Sequence, residues 1–264
     1  MKEKLFALAF CALAGLASVN AQIKIGGKTI DTKKVVNAAA DAHKAITLSD
    51  ADVAELCREA VVWMDDNNPI ADGTTEYGQR LERLVGHITE VNGVPLNFKV
   101  YHVIDVNAFA CGDGSIRIFS SLMDVMDDDE LMAIIGHEIG HVINTDTKDA
   151  MKTAYAASAA KNALGATGGK LAKLSNTELG DLALALTDSQ FSQKQEFAAD
   201  EYGFKFCVDN GYSPYGMANS LQKLVDLFES GGEKSSIVQK MFSSHPDSKN
   251  RATRMRAKAD EYSK

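Results

Sequence analysis

The sequence predicts an α+β fold, mostly helical, with a small antiparallel sheet set beside one helix. Three observations carry this. Helical periodicity runs through both ends of the chain. One period-two stretch and two short apolar runs around a Gly-rich turn fall together between residues 96 and 119. Directly after them, an apolar helical stretch over 127–143 contains His137-Glu138-Ile139-Gly140-His141.

Met1-Lys2-Glu3-Lys4 is followed by an apolar run from Leu5 to Val19 and a small-x-small site at Val19-Asn20-Ala21. This predicts a signal peptide over 1–21 with Gln22 as the first residue after cleavage. Phe10 is too large for the residue expected before a lipid-modified Cys11. The remainder is expected to form a single domain, with an N-terminal helical part over 22–74 and a core over 75–264.

A helical pattern covers Val35–Ile46. Ser49, with Asp52 three residues on, caps a second helix carrying Val53, Leu56, Ala60 and Trp63 to Asn67-Asn68-Pro69. A third runs from Thr75 to about Glu90, ended by Asn92-Gly93. Leu96, Phe98, Val100, His102 and Ile104 then alternate with more polar residues as a strand. His102, like His43 and His87, is expected as a core histidine and not a ligand. Val106–Ala110 and Ser115–Phe119 flank Cys111-Gly112-Asp113-Gly114 as a hairpin.

Asp127 and Glu130 are spaced as a capping box for the next helix. Leu131, Ile134, Ile135, Glu138 and Val142 form its apolar stripe, on which Glu138 is the only charge. His137 and His141, four apart, lie on one helical face and can point both imidazoles at one metal ion. Glu138 then sits beside the metal, placed to take a proton from a water. Gly136 and Gly140 would let another segment pack close. A sheet leading directly into such a helix is the arrangement of a zincin-like metallopeptidase, whose edge strand can hold an extended peptide.

Asp149–Leu186, rich in Ala and Gly, reads as a helical hairpin, either a lid over the cleft or plain helical packing. Gln190–Asn210 is a helix ending at Gly211. Glu196 and Asp200 share one of its faces, and a buried acidic pair needs a partner that a metal and its histidines would supply. Tyr215–Glu229 is amphipathic, Gly231-Gly232 breaks the chain, and His245-Pro246 precedes a basic C-terminal helix with Arg251 and Arg254. A histidine before proline is held extended, which fixes its direction.

The net charge is −8 and the pI about 5.3, which argues against nucleic acid or anionic lipid as partners. After the leader, no apolar run is long enough to span a bilayer. Cys57, Cys111 and Cys207 allow at most one internal disulfide, and none lies in a C-x-x-C pair.

Asn107-Ala108-Phe109-Ala110, Asp129-Glu130, Gly136-His137-Glu138-Ile139-Gly140-His141, Glu196-x-x-x-Asp200 and Ser244-His245-Pro246 with Arg251 occur in that order. Together they resemble the HtpX/Oma-type zinc metalloendopeptidases, metallopeptidase family 48, over roughly residues 75–260. The similarity is greatest to soluble, periplasmic members. The resemblance implies one Zn²⁺ per chain held by His137, His141 and Glu196, with Glu138 as general base. It implies that Asp200 orients a ligand histidine, that His245 stabilises the oxyanion, and that Asn107, Ala108 and Phe109 bind substrate. It also implies hydrolysis of peptide bonds in unfolded, misfolded or unassembled cell-envelope proteins, a periplasmic and possibly envelope-associated location, and envelope protein partners. Cys111-Gly112-Asp113-Gly114 departs from the Pro-Gly-Gly of many relatives. The alternative is a latent or chaperone-like zinc-binding protein with a blocked cleft.

Overall fold

The structure is a computed structural model that describes residues 22–25, 28–31, 48–162 and 174–264. The expected leader over 1–21, the helix over Val35–Ile46 with His43, and the Gly-rich joint over 163–173 lie outside the described residues. The chain divides into two compact units, Met1–Leu48 with Tyr155–Lys173, and Ser49–Ala154 with Leu174–Lys264. In the first, β1 (Gln22–Ile25) and β2 (Lys28–Asp31) form an antiparallel hairpin.

The second unit begins with α1 (Asp50–Asn67), capped by Ser49 and Asp52 in the expected capping box. After β3 (Ile70–Ala71), α2 spans Glu76–Val85 from a Thr75 cap, shorter than its periodicity suggests. Gly86 ends it, and Asn92 and Gly93, with φ of 50° and 76°, instead make the tight turn between β4 (Glu90–Val91) and β5 (Val94–Pro95). Positive φ at both central residues is the demand of a two-residue hairpin turn, and Asn-Gly meets it.

Strands β6 (Asn97–Tyr101), β7 (Ala108–Ala110) and β8 (Ser115–Phe119) join β3 in a sheet ordered β3-β6-β8-β7. β7 and β8 form the expected antiparallel hairpin, but β6 and β8 run parallel, so the sheet is mixed and not antiparallel throughout. The reason is that the chain reverses twice, once over 102–107 and once at 111–114, which restores the direction of β6. β7 is thereby left at the edge. His102 falls just past β6 and is exposed, as is His87, so neither is the core histidine that the alternation suggested.

α1 is fixed to the outer face of this sheet by charge. Asp65 accepts from Arg117 Nε at 2.8 Å and Nη2 at 3.0 Å, from Lys99 at 2.7 Å and from the Tyr101 hydroxyl at 2.7 Å. Arg117 is 1% exposed, and its guanidinium also donates to the Asn97 carbonyl. A buried arginine needs such a full set of acceptors.

On the inner face lies α4 (Asp128–Ile143), entered through the short α3 (Ser120–Val125) and capped by Asp127 with Glu130. Helices α5 (Asp146–Asn162), α6 (Asn176–Thr187), α7 (Gln193–Asp209), α8 (Gly216–Glu229), α9 (Gly232–Ser244) and α10 (Ser248–Tyr262) complete the chain. The core joins α4, α7, α8 and α10 to the inner sheet face through Leu131, Ile135, Ile116, Ile118, Leu221 and Met255.

α4 and α7 approach closely because glycines face each other. A Cβ on Gly136 would stand 3.0 Å from Gly203 Cα, and one on Gly203 only 2.7 Å from the Ala133 carbonyl oxygen. Helix propensity alone predicts that Gly203→Ala gains up to about 1 kcal/mol. The clash is with backbone, which cannot swing aside, so we expect instead a loss of about 1–3 kcal/mol in denaturant unfolding.

Candidate metal centre and its identity

The close approach sets the two halves of the site opposite each other. α4 supplies His137, Glu138 and His141 along one face, and α7 supplies Glu196 and Asp200, all buried. His245, at the end of α9, enters from a third direction, held by a Met241 carbonyl at 3.0 Å from its own N–H.

The ring nitrogens converge. His137 Nε2 lies 3.1 Å from His141 Nε2 and 3.3 Å from His245 Nδ1. His245 Nδ1 is 3.1 Å from Glu196 Oε1, and that oxygen is 3.5 Å from His141 Nε2. One donor atom from each of His137, His141, Glu196 and His245 falls within 4.8 Å of the others. His245 thus stands inside the donor cluster, closer than a role confined to the oxyanion required.

The remaining nitrogens face acceptors that fix each ring. His137 Nδ1 meets Asp200 Oδ1 at 3.0 Å. His141 Nδ1 meets Asp146 Oδ2 at 2.9 Å, and Gln195 donates to the other oxygen of Asp146 at 2.8 Å. Sequence reading missed Asp146. Its signal was only an acid at the start of α5, five residues past His141. Arg251 is 1% exposed; it grips Asp200 through Nε at 2.8 Å and Nη2 at 2.6 Å and also pairs with Glu196. It neutralises the acidic pair of α7 that the sequence left in need of a partner.

These contacts shift the titration of the buried groups. Burial pushes His137 below the ordinary histidine value despite Asp200. Burial acts the same way on His141, but bonds to Asp146 and Glu196 prevail and lift it to about 9. Burial works to raise Glu196 as well, yet His245, His141 and Arg251 hold it well below the usual carboxylate range. Asp200, opposed by burial but bonded to Arg251, is lowered to about 2.

Glu138 is 1% exposed, and its Oε1 has no hydrogen-bond partner, lying 3.7 Å from His245 Nε2. An unpaired buried carboxylate oxygen is costly, and it faces the donor cluster. Two to three imidazoles, one carboxylate and a free acid beside them are a donor set that suits zinc.

The residues expected to bind substrate lie at the edge of the sheet. Asn107, Ala108 and Phe109 are buried, Phe109 within an aromatic cluster with Tyr101 and Phe119 at centroid distances of 6.3 and 6.2 Å.

A zincin-like helix pair around a histidine and carboxylate cluster defines a metallopeptidase. The profile of Peptidase family M48 matches residues 76–259. Metalloprotease LoiP of Escherichia coli (strain K12) is 40% identical over 237 residues, spanning 89% of this chain and 92% of that protein. Metalloprotease YcaL of the same strain is 38% identical over 228 residues, 86% and 87% of the two chains. The Beta-barrel assembly-enhancing protease of that strain is 30% identical over 206 residues, 72% of this chain and 40% of that protein. The chain belongs to peptidase family M48; it is a hydrolase of peptide bonds and, like the metallopeptidases of that family, zinc-dependent. Among the described residues no helix is long and apolar enough to cross a membrane.

Asp200→Asn keeps the shape of the side chain but weakens its hold on His137. Zinc affinity should fall about 10- to 100-fold, measured by competition with a chromophoric chelator.

Proposed function

We propose that the chain is an endopeptidase of the cell envelope, exported by its leader over 1–21, whose single domain over 22–264, with its catalytic core over 75–264, cleaves misfolded or unassembled envelope proteins. The observation that carries the reading is Glu138, buried with a free oxygen beside the histidine cluster, on a helix that packs against the edge strand β7. The printed name of the Beta-barrel assembly-enhancing protease supports envelope clients.

His137, His141 and Glu196 would hold the ion. Bound zinc supplies Lewis acidity and brings the pKa of water toward neutrality. An extended substrate pairs with β7 through its backbone, which makes recognition tolerant of sequence and suits unfolded clients. Glu138 takes the proton of the attacking water on its free oxygen and passes it to the leaving amine. His245, whose Nε2 faces Glu138, donates to the oxyanion that develops on the peptide carbonyl. Asp200 and Asp146 hold His137 and His141 in the tautomers that leave both Nε2 atoms as donors.

Glu138→Gln should retain zinc, because Glu138 lies outside the donor set. Its turnover of casein should fall about 10²- to 10⁴-fold with internal cleavages lost. A variant that binds zinc and still cuts at the native rate would remove Glu138 from the mechanism.

One observation favours a second reading, a latent enzyme. Phe191, in the α6–α7 connection, stacks on His141 with centroids 3.9 Å apart at 18°, and lies 5.8 Å from His245. Its backbone N–H reaches the Ser244 carbonyl at 3.4 Å. On this reading substrate displaces the Phe191 ring from His141 before it reaches the cluster. Phe191→Ala should raise kcat/KM on a short peptide if this segment covers the cleft, and leave it unchanged or lower it if the ring only supports His141.

A further inference from the structure

Cys57 on α1 and Cys111, just past β7, are free thiols on either side of the contact between α1 and the β7–β8 turn. Both are fully buried, at 0% exposure. A Cβ on Gly112, the residue next to Cys111, would stand 3.2 Å from Cys57 Sγ. The thiol of α1 is thus seated against the very turn that Cys111 begins. Neither belongs to the metal cluster, and the proteolytic mechanism uses neither.

We propose that Cys57 and Cys111 form a disulfide that ties α1 to the β7–β8 turn and so braces the edge strand. Each thiol gives up its proton and the pair gives up two electrons as one S–S bond forms. A disulfide oxidant of the compartment, of the class of glutathione disulfide, takes both electrons and both protons and leaves as two thiols. Cys207 is excluded as partner because it sits on α7, with its Sγ 3.5 Å from the Asp129 carbonyl.

Burial is what decides when the bond forms. It pushes Cys57 up to about 12 and Cys111 well above the ordinary thiol value, the neighbouring Cys57 adding to the effect on Cys111. Thiols held protonated and away from solvent do not exchange. Oxidation therefore accompanies folding, while the thiols are still accessible, and the folded pair is inert in either state. The role in the cell rests on the envelope reading, since only an oxidising compartment supplies the oxidant. The bond itself does not.

The test separates the two. The full chain is reduced in denaturant, refolded in a glutathione redox buffer, quenched with acid, alkylated in denaturant without reductant, and mapped by tryptic mass spectrometry without reduction. The expected product joins the peptide of Cys57 to that of Cys111, disappears with dithiothreitol, and leaves Cys207 alkylated. The oxidised protein should melt about 5–15 °C above the reduced one. Cys57→Ser should leave Cys111 alkylated and not paired elsewhere. Full alkylation of both cysteines in refolded wild-type protein, or a link from either to Cys207, would overturn the proposal. Because the readout is the bond and not cleavage, failure here leaves the peptidase reading standing.

Discussion

The contact on which the rest depends is the near approach of α4 and α7 at Gly136, Gly140 and Gly203. With backbone against backbone there, the carboxylates of α7 reach the imidazoles of α4 without long side chains or slack. A side chain at any of these positions would separate the donor set, and a donor set that must rearrange binds metal weakly. The helices accept three mid-helix glycines because the close fit returns more than the lost propensity.

That approach creates a second problem, which Arg251 resolves. Glu138, Glu196, Asp200 and Asp146 are all buried within one site. Unpaired, such a cluster would drive its members to the neutral form. Arg251 spans Glu196 and Asp200, and the histidines take up the rest. Glu138 is the exception, its Oε1 left without a hydrogen-bond partner beside the histidines. The C-terminal helix is therefore part of the site, although it presents no group to a substrate.

The same logic of buried charge holds the substrate edge. Asp65 and Arg117 bind α1 to the back of the sheet, and the proposed Cys57–Cys111 link would act a few residues away. β7 is only three residues long. A strand so short keeps its register because its neighbours are fixed, with Phe109 locked between Tyr101 and Phe119.

By itself the sequence determined whatever depends on local spacing. The capping boxes at Ser49 and Asp127, the helical face shared by His137 and His141, the burial of Glu138, and the common face of Glu196 and Asp200 all follow from residues within one or two turns of each other. The family resemblance implied the ligand set and a role for His245. Tertiary structure decided the rest. The parallel pairing of β6 with β8 depends on two chain reversals that no local period records. The exposure of His102 depends on where β6 stops. Asp146 and Arg251 gained their roles from partners on other helices, and Phe191 reached His141 only through the path of the α6–α7 connection. Local periodicity reports which face of an element is buried, but which elements share a site is set by packing between segments far apart in the chain.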